Sequence, residues 1–321
     1  MILVTGGTGF IGTHLLEHLA TKGDEVRALV RRTRVARVLP AGVQAVHGDL
    51  ASGAGLDDAL RGVDAVIHLA GVTKALHPDD YYTGNVRATE QLTHAMAGRG
   101  IRLLHVSSMA AIGPSDGLIP VSEDAQPHPL THYGKSKLDA ERVVRDLAPD
   151  AVIVRPPVVY GPRDTDVFQL LKSISKGLVL EIAGGERWFS AIYVKDLVAG
   201  LLTALRTPAA AGRSYFLAHA KPVSWQELGG AAARIMAKTP RVVTVPLPVA
   251  HAVGACAEVW ARLTGKPGII SREKVAEARC MAWICDTSRA EREMGFVAPT
   301  GLESGLAETL AWYKEAGWLT Y

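Results

Sequence analysis

Cysteine is scarce: there are three in 321 residues, Cys256, Cys280 and Cys285. That odd count, at those spacings, gives no disulfide framework and matches no common zinc-ligand pattern. Reduced thiols in a cytoplasmic protein are the expectation. Charge of one sign is not in excess. Lysine and arginine number 35 against 32 aspartates and glutamates, a net +3. So weak a bias gives no support for nucleic acid as a partner. A leader is not expected either. The chain runs straight into Ile2-Leu3-Val4, with no basic segment and no cleavage site ahead of it, so no signal peptide is expected. Long apolar runs are missing. The best candidate, Leu247 to Leu263, is interrupted by Pro248, His251, Glu258 and Arg262 and is too broken to span a bilayer. It reads as an amphipathic helix, packed on the protein or in contact with a membrane surface. Internal repeats and low-complexity tracts are absent.

What is present is ordinary for a globular protein: 48% apolar and 21% charged residues. The length suits one large domain or two intimate ones. In the N-terminal half, short β-branched runs alternate with helical patterns. Strands are predicted at Ile2–Thr5, Glu25–Val30, Gln44–His47, Ala65–Leu69, Arg102–Ser107 and Ala151–Arg155. Helices are predicted at Gly12–Thr21, Leu56–Leu60, Thr83–Arg99 and Ser136–Leu147. That alternation requires parallel strands with right-handed crossovers, hence an α/β fold with a doubly wound parallel sheet of the Rossmann kind. After Gly161 the rhythm weakens. Helical segments at Asp166–Lys176, Val194–Leu205 and Trp225–Ala237 mix with Pro- and Gly-bearing connections. A smaller α/β substrate lobe interleaved with the first is expected. Residues 1–162 plus about 188–220 form the dinucleotide-binding domain. About 163–187 plus 221–321 form the substrate lobe.

Thr5-Gly6-Gly7-Thr8-Gly9-Phe10-Ile11-Gly12 follows a strand and opens a helix. The run reads as G-x-G-x-x-G through Gly7, Gly9 and Gly12 and equally as G-x-x-G-x-x-G through Gly6, Gly9 and Gly12, which lets a pyrophosphate reach backbone N–H groups at a helix N-terminus, those of Phe10 and Ile11 expected among them. An acid about 20 residues on would select NAD through the ribose 2′-hydroxyl. The second strand ends instead at Val30-Arg31-Arg32, within a basic run that includes Arg27, Arg34 and Arg37. Arg31 and Arg32 suit a 2′-phosphate, because guanidinium matches phosphate geometry. NADP is therefore expected, with NAD as the alternative. Asp49 and Leu50 follow the third strand, where Asp49 either accepts from the adenine amine or caps a turn. Leu69, Ala70 and Gly71 end the fourth strand with little bulk against the dinucleotide.

Tyr133 and Lys137 lie one helical turn apart on one face. A phenol with a pKa near 10 is a poor proton shuttle at neutral pH. A neighbouring ammonium stabilises the phenolate, which makes Tyr133 a usable general acid/base toward an alcohol or carbonyl. Ser107 and Ser108 end the fifth strand, on the sheet edge where α/β proteins place ligands. Two further patterns are set aside. His14-Leu15-Leu16-Glu17-His18 matches a zinc-peptidase signature but lies on the helix after the glycine loop, so no metal is expected. Gly113-Pro114-Ser115-Asp116-Gly117 matches a nucleophile elbow but is followed by a Pro-bearing loop rather than a helix.

Taken in order, these residues resemble the extended short-chain dehydrogenases/reductases, the NAD-dependent epimerase/dehydratase superfamily. The likeness runs through the glycine loop, Asp49, His68–Gly71, Asn85, Ser107-Ser108, Tyr133-x-x-x-Lys137 and Arg155-Pro156-Pro157-Val158-Val159-Tyr160-Gly161-Pro162. It continues through Tyr193-Val194-Lys195-Asp196-Leu197 and Asp286-Thr287-Ser288-Arg289-Ala290. The resemblance implies that Ser108 is the catalytic serine and Tyr133 the acid/base. It implies that Lys137 tunes Tyr133 and holds the nicotinamide ribose, that Asn85 sits near the cofactor, and that Pro156 and Val158 line the nicotinamide. It also implies a homodimer acting on a small molecule. Epimerases of this family resemble one another in an arginine shortly before the Val-x-Asp landmark, which pairs the substrate diphosphate. Here Phe189 holds that place and Arg187 is out of register. Trp188-Phe189 suits an apolar substrate better. The C-terminal region, from Leu247-Pro248 to Trp312-Tyr313, looks more like the 3β-hydroxysteroid dehydrogenase and dihydroflavonol reductase side of the family. An NADP-linked reductase or dehydrogenase of a largely apolar alcohol/ketone is the first reading. A nucleotide-sugar epimerase or dehydratase with tightly held NAD is the second. A lapsed cofactor-binding scaffold is the third, disfavoured by the intact Ser108–Tyr133–Lys137 set.

Overall fold

The computed structural model describes residues 1–31, 39–265, 268 and 271–321. Seven parallel strands form the central sheet: β1 (Ile2–Thr5), β2 (Val26–Val30), β3 (Gln44–His47), β4 (Ala65–His68), β5 (Arg102–Val106), β6 (Val152–Arg155) and β7 (Ser214–Phe216). Their spatial order is β7-β6-β5-β4-β1-β2-β3. The order reverses between β1 and β4, the switch point at whose carboxyl ends open α/β sheets bind their ligands. Alternate side chains feed two cores, as the two-residue period of a strand requires. Val4, Ala28, Ile67, Leu104 and Val152 face helix α1 (Phe10–Thr21) and the helix Val194–Arg206. Leu3, Leu29, Val66, Leu103 and Ile153 face the helices Leu56–Leu60 and Ala88–Met96 and helix α2 (His132–Leu147). Both faces of the sheet are covered, which is why its strands read as nearly continuous apolar runs.

Beyond β6 the chain builds smaller sheets. The strand Val158–Tyr160 pairs in parallel with Ala191–Tyr193. Trp188–Phe189 pairs with Val223–Ser224 and, from far along the chain, with Ala282–Trp283. Leu178–Ile182 pairs with Arg241–Val245. A separate core gathers Leu171, Phe189, Leu228, Leu306, Leu310 and Tyr313 around these strands. Helix α3 (Leu247–Thr264) and helix α4 (Arg272–Arg279) complete this side of the molecule. No helix among the described residues is long and apolar enough to cross a membrane.

The predicted strands and helices fall close to where the residue patterns put them, with three differences, while the helices Arg272–Arg279, Ser288–Met294 and Leu302–Glu315 were not anticipated. The expected helix Thr83–Arg99 opens as a π-helical segment, Tyr82–Arg87, and becomes α-helical only over Ala88–Met96. The expected helix Ser136–Leu147 begins a turn earlier, at His132. Thr131 accepts from Gly134 N–H at 3.1 Å and caps it. β7 and the strands after Gly161 were not anticipated, because runs of two to five residues carry little periodic signal.

Candidate active site

The site lies at the strand-order reversal. Gly6 leaves β1 with a left-handed φ of 71°, and its position tolerates no side chain. A Cβ there would stand 2.6 Å from Ala70 N. At Gly12 a Cβ would stand 2.2 Å from the Gly6 carbonyl. The turns after β1 and β4 therefore touch backbone to backbone. Helix α1 starts at Phe10 with Gly9 as its N-cap, no capping side chain and no acid in the first turn. The amides of Phe10, Ile11 and Gly12 have no partner within the helix, as holds for the first N–H groups of any helix. The Phe10 and Ile11 side chains pack into the cores behind. Asp49 caps its own turn, accepting from Ala51 N–H at 2.8 Å, and Leu50 packs on the core beside Leu56. Arg31 is exposed at the end of β2. Arg32 lies outside the described residues.

A buried chain of hydrogen bonds fixes the turn after β4. Thr89 Oγ1 donates to Asn85 O at 2.6 Å, so it accepts from His68 Nε2–H at 3.0 Å. His68 Nδ1 then accepts from the Thr5 hydroxyl at 2.6 Å, and Thr5 Oγ1 accepts from Ala70 N–H at 3.3 Å. Burial, helped by the Lys137 charge, pushes His68 down to about 3 and keeps it neutral, as this chain requires. Asn85 is buried and clamps Val72, accepting from its N–H at 2.7 Å and donating to its carbonyl at 3.0 Å and to Ser136 Oγ at 2.9 Å. A Cβ on Gly71 would stand 2.9 Å from Asn85 Oδ1 and 3.9 Å from Lys137 Nζ. Leu69, Ala70, Gly71, Asn85 and Lys137 thus share one wall.

Tyr133 sits in the first turn of α2, half-buried, with its ring 6.2 Å from that of Tyr81. Burial raises its phenol, and the Ser108 hydroxyl beside it pulls the other way. Lys137 is buried and donates to Val106 O at 2.7 Å. Burial lowers its ammonium to about 8, partly countered by Glu141. Pro156 is buried, and its carbonyl accepts from Met109 N–H at 2.9 Å, which sets it against the Ser108 segment. Val158, half-buried, follows on the next strand.

Several site residues escape sequence reasoning. Glu141, one turn beyond Lys137, is fully buried and holds Arg155 in a two-pronged ion pair: Nε to Oε1 at 2.8 Å and Nη2 to Oε2 at 2.7 Å. Burial alone would raise the Glu141 carboxyl, but the Arg155 guanidinium holds it below the usual range. The third arm of Arg155 reaches Glu123 O at 2.9 Å. Glu273 and Glu277 on α4 accept from His132 N–H at 2.9 Å and from the Thr131 hydroxyl at 3.3 Å, so α4 roofs the start of the Tyr133 helix. The spacing of Glu141 from Lys137 was a usable signal. Nothing local in the sequence announces the α4 contacts.

The patterns set aside have structural uses. His14 Nε2 bonds the Pro162 carbonyl at 2.8 Å and Glu17 pairs with Arg163. Ser115 donates to Ile284 O at 3.1 Å and accepts from Ile284 N–H at 2.7 Å, fastening its loop to the strand Ala282–Trp283. Arg187 spends its guanidinium on its own loop, donating to the carbonyls of Ile182, Gly185 and Ala183 at 2.7–2.9 Å. Phe189 is core, its ring 4.3 Å from Trp225, while Trp188 is half-buried.

The family model for the NAD dependent epimerase/dehydratase family matches residues 2–218. The chain belongs to that family. It is an enzyme, an NAD(P)-dependent oxidoreductase of the extended short-chain dehydrogenase/reductase type. Ceramide reductase of Caulobacter vibrioides (strain NA1000 / CB15N) is 33% identical to this extended short-chain enzyme, over 99% of this chain and 96% of that protein. The N-acetyl-alpha-D-glucosaminyl-diphospho-ditrans,octacis-undecaprenol 4-epimerase of Escherichia coli O157:H7 is 30% identical over 96% and 94%. The solved structure of MoeE5 in complex with UDP-glucuronic acid and NAD superposes with a TM-score of 0.79 at 26% identity, covering 98% of this chain and 99% of that one.

Proposed function

We propose that this enzyme is an NADPH-dependent reductase of a largely apolar ketone, with Tyr133 as the proton donor. The observation that carries the choice is Arg187. A diphosphate-bearing substrate needs a guanidinium turned toward it, and Arg187, the arginine nearest in sequence to the place where epimerases carry theirs, is committed to three backbone carbonyls. The Caulobacter relative, a reductase named for an apolar lipid, supports the same reading. Segments 163–187 and 221–321 make the substrate side in this proposal, supported by the strand Ala282–Trp283 and helix α4 standing next to Ser115 and Tyr133.

The switch point suits a dinucleotide. Gly6, Gly9 and Gly12 leave no side chain in the way, and the amides of Phe10, Ile11 and Gly12 would take the pyrophosphate. Arg31 and Arg32, with no acid at the end of β2, favour a 2′-phosphate. Leu69, Ala70, Gly71 and Asn85 would border the ribose and nicotinamide, with Pro156 and Val158 on the far side. The nicotinamide, when bound, supplies the hydride. Ser108 holds the substrate carbonyl oxygen, Tyr133 gives it a proton, and Lys137 steadies the phenolate left behind.

The pH dependence follows. Tyr133, raised by burial, stays protonated through the assay range. Lys137 carries its charge below about 8 and loses it above. Reduction is therefore expected to run flat below about pH 8 and to fall beyond it. A pH profile of kcat/KM from 6 to 10 checks this, and a rise across pH 8 to 9.5 contradicts it.

A second reading, an epimerase with captive NAD, is favoured by the Escherichia coli relative. Counting and identifying the nucleotide released on denaturing fresh protein separates the two. Empty protein or substoichiometric NADP, with NADPH-dependent reduction of apolar ketones, is the expected result. Near-stoichiometric NAD overturns it.

A further inference from the structure

Helix α3 is built inside out. Its buried residues are small, Ala250, Gly254 and Ala261. Gly254 lies against α4, where a Cβ would stand 3.3 Å from the Ser271 and Arg272 backbones. Its large apolar side chains point outward instead: Val249, Val253, Val259, Trp260 and Leu263 are 47–78% exposed. Val249, Val253, Trp260 and Leu263 fall on a single stripe at helical spacing. A soluble helix does the reverse, and a contiguous exposed apolar patch marks a contact surface. Half of the exposed large apolar residues among those described lie between Val242 and Met281.

The charge around this helix selects what covers it. From Lys238 to Met281 there are seven lysines and arginines against three glutamates. That net +4 exceeds the +3 of the whole chain, so the rest of the molecule is slightly acidic. The three glutamates are occupied inwardly: Glu258 with Arg272, Glu277 with Lys274 and Thr131, and Glu273 with the His132 amide. Arg241, Arg262 and Arg279 are exposed, and none pairs with a carboxylate among the described residues. Two copies meeting through this face would bring like charges together. An apolar face carrying a tryptophan and rimmed by arginines fits the interface of an anionic bilayer.

We propose that the outward face of α3 docks on an anionic phospholipid surface and that an apolar substrate reaches Tyr133 from that surface. The helix lies on the bilayer rather than through it. Its other side is one short helix from the site, since α4 packs on Gly254 and bonds the His132 amide. The delivery half of this inference rests on the reductase reading. The docking half does not.

Flotation of the full-length protein with vesicles tests it. On phosphatidylglycerol/phosphatidylcholine vesicles at low salt the protein should float. On phosphatidylcholine alone it should not. Trp260→Asp and Leu263→Asp should each cut partitioning at least tenfold. Arg262→Glu and Arg279→Glu should each weaken it by roughly fivefold or more. High salt should release the wild type. Reduction of a short, water-soluble ketone by NADPH should stay unchanged in all four variants. Absence of flotation on anionic vesicles, or flotation undiminished by Trp260→Asp, overturns the docking. So does a dimer that Trp260→Asp dissociates in a protein with no vesicle affinity, because a second copy then covers the face. Failure of ketone reduction with flotation intact sinks the reductase reading and leaves the docking standing.

Discussion

Tyr133→Phe is expected to lower turnover by about 10²–10⁴-fold, the usual worth of a positioned general acid, and to leave the affinity for the nicotinamide cofactor within a few-fold. The substitution removes one oxygen. The ring keeps its place in the first turn of α2 and its packing against Tyr81, and the glycine loop is untouched. The Lys137 ammonium keeps its bond to Val106 O, so the wall it shares with Gly71 and Asn85 does not move. Ketone turnover and fluorescence titration of the reduced nicotinamide cofactor, measured on the same preparation, check the split. A variant retaining a tenth or more of the wild-type rate would remove Tyr133 from the chemistry. A variant that lost rate and cofactor together would point to a positioning role.

Glu141→Ala carries the largest expected effect on stability, a loss of about 3–5 kcal/mol. Arg155 is 2% exposed and Glu141 fully buried, so removing the carboxylate strands a guanidinium in the core. The pair joins α2 to β6, and through Glu123 O it reaches the loop that runs past Ser115. The expected drop in Tm is on the order of 10 °C. A double replacement, Glu141→Leu with Arg155→Met, should recover much of that loss, because removing both charges avoids the uncompensated one. Thermal melts of the two variants decide it. If the double variant melts no higher than the single, the pair holds the fold by geometry rather than by charge compensation.

The sequence made the first half of the molecule legible because each strand there ends at a recognisable chemical landmark. The glycines after β1, the serines after β5 and the Tyr-x-x-x-Lys spacing each state a local requirement, and the structure sets all three around one site. Glu141 was within reach on the same reasoning, being four residues past Lys137. The Thr5–His68–Thr89 chain was not, since its links are separated by 63 and 21 residues and each residue alone is unremarkable. The substrate side was least legible. Its strands are two residues long where they meet the site, and the bonds that tie Arg187, out of register in the sequence, to the carbonyls of its own loop show only in three dimensions.

The pairing of Trp188–Phe189 with Ala282–Trp283 has a consequence for the order in which the enzyme comes into being. A nascent chain that has emerged through Phe216 owns every strand of the central sheet, together with Ser108, Tyr133 and Lys137. It lacks the residues that fasten the Ser115 loop and those of α4 that close over His132. Domains fold from the N-terminus as they are made, so the hydride-handling half takes shape first and stands open while a third of the chain is still to come. The partner choice of the enzyme is then the last thing its synthesis writes. A chain cut short before residue 273 would still grip its nucleotide but would have no wall to judge a substrate by.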